Sequence, residues 1–283
     1  MKIYTIIQGD IMDGIIVINK PAGMTSHDVI GCLRKKYKQK KFGHSGTLDP
    51  EATGVLIVLC GNATKILQFL SDTDKTYEAT IKLGVSTTTD DIWGEEVEQK
   101  PVNLDFDFTE ELNKFVGPQH QKVPMTSAKK IQGKKLMDYQ REGLSVPDVY
   151  QDIEVYSIES LNDEELRFKV HCSSGTYVRS ICRDVALNTG NAGCMSSLVR
   201  TQVGRFSIDQ AQSIDEEHTL YPIEMALDGF EQMEYSPIQD IYNGKHVRLD
   251  TDKDQVCIME NGKAIAIYER HHGNVFGCKR GLW

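Results

Sequence analysis

Residues 54–61 read Gly-Val-Leu-Ile-Val-Leu-Cys-Gly, an uninterrupted apolar run closed at both ends by glycine. Without polar alternation such a run does not suit a sheet with one wet face, and it reads as a strand buried on both sides. The residues just before it, Phe42-Gly-His-Ser-Gly-Thr-Leu-Asp-Pro-Glu-Ala-Thr53, concentrate glycines, the hydroxyls of Ser45, Thr47 and Thr53, and the imidazole of His44. Within them Pro50 locks its own φ and pushes Asp49 toward an extended conformation. Asp49 is therefore expected in a rigid loop set against the core. Taken alone, an Asp-Pro step in a glycine-rich loop also describes a simple turn.

A chain of 283 residues has room for one large α/β domain and a small accessory one. No apolar run approaches the roughly 18 residues of a membrane-spanning helix, and the first ten residues carry one lysine and too short an apolar stretch for a signal peptide. A cytoplasmic location is expected. Seven cysteines, at 32, 60, 172, 182, 194, 257 and 278, show neither a Cys-x-x-Cys pair nor zinc-ligand spacing. They are expected to be reduced, mostly buried thiols, with no metal site and no nucleophilic cysteine. Nor is there a phosphate-binding glycine loop, so no cofactor is expected.

The net charge of −9 argues against a polyanionic partner until its distribution is considered. Residues 207–240 hold nine Asp or Glu and no Lys or Arg, so that segment accounts for the whole net charge. Positive charge gathers elsewhere, with six cations in residues 34–41 and six in 122–141 against the single acid Asp138. Two such clusters are either solvated helix faces or a track for RNA phosphates.

Along the chain, Ile15 to Asn19 reads as a strand, and Ser26 as the N-cap of a helix with Val29, Ile30, Leu33 and Tyr37 on one face. Asn62–Leu70 reads as a short helix, Lys75–Gly84 as an alternating strand carrying Tyr77, and Thr109–Val116 as a helix. Strands follow at about 151–159 and 165–172. Thr176 is placed to cap a helix over 177–187, on which Arg179 and Arg183 share a face at i and i+4. Arg179 falls in the first turn, where the helix dipole disfavours a cation, so a compensating partner is expected. Taken by their spacing alone, the two arginines also describe a solvated surface pair. Asn261-Gly262 between apolar runs signals a hairpin in a strand-rich C-terminal region.

Several of these segments carry one resemblance. Gly43, His44, Gly46, Leu48, Asp49, Pro50, Ala52, Gly54 and Leu56 match the catalytic-loop pattern of the bacterial tRNA pseudouridine synthase B (TruB) family. Lys20, Pro21, Gly23, Thr25 and Ser26 match its opening motif, Lys75 and Tyr77 its Lys-x-Tyr motif, and Cys172, Gly175, Thr176, Tyr177 and Arg179 a second signature. The loop from Gly84 to Gly94 matches through Thr87, Thr89 and Asp91, with Thr88 where the family has Asp. Residues 123–143 are similar to a thumb-like loop and helix, with Thr126 where the family commonly has Tyr.

The resemblance implies an α/β (α+β) pseudouridine synthase fold: a mixed, largely antiparallel sheet with flanking helices, a central cleft and a small PUA-like module. The implied division is an extension at 1–11, a catalytic domain at 12–235 with its thumb at about 122–150, and the module at 236–283. It implies that Asp49 is the nucleophile, acting at uracil C6 or ribose C1', with Arg179 as its cationic partner and Tyr77 packed on the base. His44, Tyr177 and Leu198 would contact the substrate, and Lys20, Pro21, Gly46 and Asp91 would support the site. The implied substrate is the uridine at position 55 in the T loop of tRNA. No cofactor, metal, membrane or protein partner is implied, and a monomer is expected. The alternative is a non-catalytic tRNA-binding or chaperone protein on the same fold. Guide-RNA-dependent synthases form a further relative class, against which the short thumb and tail argue for a stand-alone enzyme.

Overall fold

The computed structural model of the protein describes residues 4–5, 12–70 and 73–283. The extension expected at 1–11 lies outside the described residues, apart from a short strand, Tyr4–Thr5, paired antiparallel with Thr219–Leu220. The main elements, in chain order, begin with β1 (Gly14–Lys20), α1 (Ser26–Tyr37), β2 (Phe42–His44), β3 (Thr53–Cys60) and a 3-10 helix over Gly61–Phe69. Next come β4 (Lys75–Leu83), α2 (Phe108–Asn113), β5 (Gly117–Lys122), α3 (Leu136–Arg141), β6 (Tyr150–Asn162), β7 (Arg167–Cys172), α4 (Val178–Asn188) and β8 (Gly193–Val203). The chain ends with β9 (Glu231–Glu234), α5 (Ile238–Tyr242), β10 (Val247–Arg248), β11 (Gln255–Glu260), β12 (Lys263–His272) and β13 (Val275–Gly281).

The chain divides into two compact units, one made of Met1–Pro50, Gly54–Ser71 and Gly204–Trp283, the other of Glu51–Thr53 and Asp72–Val203. In the first unit β1 pairs antiparallel with β3 from Gly14↔Cys60 to Lys20↔Gly54, and β2 pairs with β3 from Phe42↔Cys60 to His44↔Val58. From Gly54 to Cys60 every residue of β3 is buried, as the apolar run predicts. One of its faces, with Leu56, Val58 and Cys60, packs with Ile16 and Ile18 of β1 against Val29, Ile30 and Leu33 of α1. Each of these side chains contributes on the order of 1.5–3 kcal/mol by leaving water. α1 starts one residue earlier than expected. Thr25, not Ser26, is its N-cap, and Thr25 and Asp28 form a capping box.

The same unit holds the C-terminal sheet, in the order β9-β11-β12-β13-β10, in which only β9–β11 is parallel. The β11–β12 hairpin turns at Asn261 and Gly262, both at positive φ (51° and 76°), the type I′ geometry that this dipeptide favours. Val256, Ile258, Tyr268 and Phe276 fill its core with Ile241 of α5.

In the second unit five antiparallel strands run in the order β8-β4-β7-β6-β5. Helix α4 packs on β8 and β4, and α2 packs on β6. Asp107 caps α2 through the amide of Glu110, so this helix also begins earlier than its sequence pattern suggests. These antiparallel strands with helices laid on them are the expected α/β class.

Candidate active site

Asp49 sits in the turn between β2 and β3, half-buried, and the residues on either side of it are held from within its own unit. On the N-terminal side the amide of Leu48 donates to Ser26 Oγ at 2.9 Å. On the C-terminal side the carbonyl of Pro50 accepts from Lys20 Nζ at 2.8 Å. Lys20 ends β1 fully buried, and its ammonium also donates to the carbonyls of Pro21 (2.8 Å) and Met24 (2.6 Å). A buried ammonium requires such acceptors in place of water. Pro21 therefore enters the site through its carbonyl. Gly46 has φ of 147°, open to glycine alone, and a Cβ on Gly43 would lie 2.7 Å from Leu67 Cδ1. His44 continues the β2 pairing opposite Val58, and Ser45 N donates to the Ile57 carbonyl at 3.1 Å.

In the second unit β4 carries Tyr77, buried, directly opposite Arg200 of β8 and Val170 of β7. Two residues along, Ala79 faces Leu198, so Tyr77, Leu198 and Arg200 share one face of the sheet. Arg200, only 2% exposed, carries no role in the sequence reading. Its two-residue spacing from Leu198 is the signal that places it on this face.

Arg179 lies in the first turn of α4 and is 4% exposed. Its guanidinium donates to the carbonyls of Thr89 (2.8 Å) and Thr126 (3.0 Å) and lies 3.7 Å from Asp91 Oδ2. Asp91 therefore does two jobs at once. Its Oδ1 accepts from Thr89 Oγ1 (2.6 Å) and from the amide of Trp93 (3.1 Å), closing the turn, while Oδ2 faces the arginine. Tyr177, just before α4, is clamped by the side-chain amide of Gln121, which accepts from Tyr177 N (2.8 Å) and donates to its carbonyl (3.0 Å). Thr176 does not cap the helix; its hydroxyl donates to the Ser173 carbonyl at 2.9 Å.

Arg183 is not the solvated residue that its helical spacing suggests. It is bound to Asp90 Oδ2 and Asp184 Oδ1, each at 2.8 Å. Burial pushes the Asp90 carboxyl above the usual range, and Arg183 opposes that rise. Five of the seven cysteines are buried, while Cys32 is exposed and Cys278 intermediate. Burial pushes the Cys60 and Cys257 thiols up to about 12 and those of Cys172 and Cys194 up to about 11, which leaves them protonated near neutral pH.

The family model described as "TruB family pseudouridylate synthase (N terminal domain)" matches residues 34–178. The tRNA pseudouridine synthase B of Bacillus subtilis (strain 168) is 39% identical over 290 residues, covering 92% of this chain and 94% of that protein. The chain belongs to the TruB family of pseudouridylate synthases. The tRNA pseudouridine synthase B of Alkaliphilus oremlandii (strain OhILAs) is 45% identical over 216 residues, 75% of this chain and 72% of its own. Among solved structures, a chain of a Cbf5-Nop10-Gar1 complex superposes with a TM-score of 0.72 at 22% identity, covering 96% of this chain and 86% of that one. The archaeal box H/ACA sRNP Nop10-Cbf5 complex gives 0.70 at 20% identity, covering 96% and 87%. At that identity the superposition establishes the fold.

Within this TruB-family enzyme the two departures from the family pattern are joined. Thr126 Oγ1 donates to Gln140 Oε1 at 2.7 Å, and Gln140 Nε2 donates to the Thr88 carbonyl at 3.0 Å. Gln140 lies on α3, so that helix is tied to the loop bearing Asp91 and to the residue whose carbonyl holds Arg179. A tyrosine at 126 would offer no hydroxyl at that short reach. Some thumb cations are matched locally, as Lys122 is by Asp148 at 2.8 Å and Lys129 by Gln151 Oε1 at 2.9 Å, while Lys130 and Lys135 are exposed. In the first basic cluster Lys35, Lys38, Lys40 and Lys41 are exposed, whereas Arg34 turns inward to the Phe42 carbonyl at 3.2 Å. No helix among the described residues is long and apolar enough to cross a membrane.

Proposed function

We propose that this pseudouridylate synthase isomerises the uridine at position 55 in the T loop of tRNA, with Asp49 as the nucleophile. The C1'–N1 bond breaks, the base turns while held, and a C1'–C5 bond forms. The hydrogen on C5 leaves as a proton and N1 takes one up, so atoms balance and nothing is oxidised. Asp49 adds to uracil C6 or to ribose C1' and is released unchanged. The observation that carries this reading is the fixing of the residues that flank Asp49, by Ser26 Oγ on Leu48 N and by Lys20 Nζ on the Pro50 carbonyl. A nucleophile whose backbone is held before substrate arrives loses little freedom in reacting.

Tyr77 is the aromatic group against which the base packs, and Arg179 the cation assigned to partner the nucleophile. Asp91, facing Arg179 at 3.7 Å, is a positioning residue for that guanidinium. His44, Tyr177 and Leu198 are each assigned to contact a base swung out of its stack, while Lys20, Pro21 and Gly46 keep the Asp49 loop in shape. The exposed lysines of 34–41 and the thumb over about 122–150 take the phosphates of the T arm. Residues 236–283 form a PUA-like module that touches the acceptor side, after an extension at 1–11 and a catalytic domain at 12–235. The enzyme works in the cytoplasm as a monomer, without a protein partner or cofactor.

The site of modification is tested by mapping pseudouridine, as carbodiimide adducts that stop primer extension, in a tRNA transcript treated with the protein. The expected product is one stop at position 55, lost in a U55C transcript. A stop elsewhere, or several, would contradict the T-loop assignment.

A further inference from the structure

The loop holding Asp91 presents a feature that the synthase chemistry leaves unexplained. Its backbone is tied at nearly every residue: Thr88 N to the Glu95 carbonyl (2.9 Å), Ile92 N to the Met195 carbonyl (2.9 Å), Met195 N to the Asp90 carbonyl (3.0 Å) and Trp93 N to Asp91 Oδ1 (3.1 Å). A Cβ on Gly94 would fall 2.3 Å from Thr89 Oγ1, so the turn closes on itself without slack. From this fixed frame Ile92 and Trp93 point outward, 44% and 48% exposed. Single exposed apolar residues need no explanation, but two adjacent large ones on a fully tethered turn do. They occupy the two positions that the family pattern leaves open between Asp91 and Gly94.

We propose that Trp93 is an RNA-stacking residue, its indole lying on an unpaired nucleobase of the loop that carries the target uridine. This rests on the synthase reading above and adds a substrate contact to it. Glu95 and Glu96 beside the turn are exposed acids, so the partner chemistry follows from the shape of the aromatic face and not from local charge. Unpaired loop bases offer a flat face that tolerates any sequence, and an aromatic side chain on a fixed backbone meets it with little loss of freedom. The two acids that begin the turn are matched by arginines, Asp90 by Arg183 at 2.8 Å and Asp91 by Arg179 at 3.7 Å, which limits their repulsion of phosphates. The loop is also continuous with the site, because the carboxylate that holds the Trp93 amide faces Arg179.

The chain has two tryptophans, so Trp283→Phe leaves Trp93 as the only indole reporter. Titration with a T-arm stem-loop RNA, its binding followed separately by the anisotropy of a labelled RNA end, is expected to change Trp93 emission in step with binding. A blunt duplex of the stem alone should leave the emission unchanged. In the otherwise native enzyme Trp93→Ala is expected to raise KM for tRNA by about tenfold to a hundredfold, the loss falling on kcat/KM, while Trp93→Phe recovers most of it. RNA binding without any change in emission, or a Trp93→Ala enzyme with unaltered KM, overturns this inference alone. Failure of the wild-type protein to bind the RNA overturns the synthase reading and the stacking contact together.

Discussion

At the scale of single residues, Lys20 holds the Asp49 loop through the backbone. Its buried ammonium gathers the Pro21, Met24 and Pro50 carbonyls, and removing it loses three partly buried charge-assisted hydrogen bonds, each contributing on the order of 1 kcal/mol. Lys20→Met is therefore expected to lower unfolding free energy by about 2–4 kcal/mol in urea titrations, and an unchanged urea midpoint would contradict it. Position and residue type were legible here, because Lys20, Asp49 and Pro50 stand out in the sequence. The partners were not. Ser26 serves Leu48, 22 residues away, and Thr25 takes the cap next to it; two neighbouring hydroxyls give the sequence no means of choosing. The Gln121 clamp on Tyr177 spans 56 residues, and the Arg183–Asp90 pair spans 93. Side chains that look like solvated charge locally are claimed by partners that only the fold supplies.

At the scale of elements, hydrophobic period and turn chemistry carried furthest. The buried β3, the apolar stripe of α1 and the Asn261-Gly262 hairpin follow from sequence because each is decided by neighbouring residues. The bond between α1 and the 213–218 segment does not. There Tyr37 OH meets His218 Nδ1 at 2.5 Å and His218 Nε2 lies 2.9 Å from the Ser213 carbonyl. The carbonyl only accepts, so Nε2 carries the hydrogen and Nδ1 accepts from the phenol. Burial, and then the nearby Lys36, push the His218 pKa down, so folding favours the neutral ring. A depressed histidine contributes stability that is complete above its unfolded value of about 6.5 and is lost as pH falls through the lower folded value. The Tm advantage of the wild type over His218→Gln is thus expected to shrink between pH 8 and pH 5. A gap that stays constant or widens on acidification would contradict the buried neutral imidazole.

At the scale of the whole molecule, the net charge of −9 and the RNA substrate are reconciled by segregation. The acids of 207–240 include Glu224, whose carboxylate accepts from the amide of Ala264 at 2.7 Å, and Asp240, paired with Lys245 at 2.7 Å. Several of these acids thus serve structure within their own unit, leaving the exposed lysines of 34–41 for phosphates. In the proposed reaction one carboxylate, that of Asp49, acts on one uridine. The most direct test of that reaction is tritium release from a [5-3H]uridine-labelled tRNA transcript by the wild type and by Asp49→Asn, with tRNA binding measured for both. One equivalent is expected to be released per tRNA by the wild type and none by Asp49→Asn, which still binds. Release by Asp49→Asn, or tight binding without release by the wild type, would contradict it.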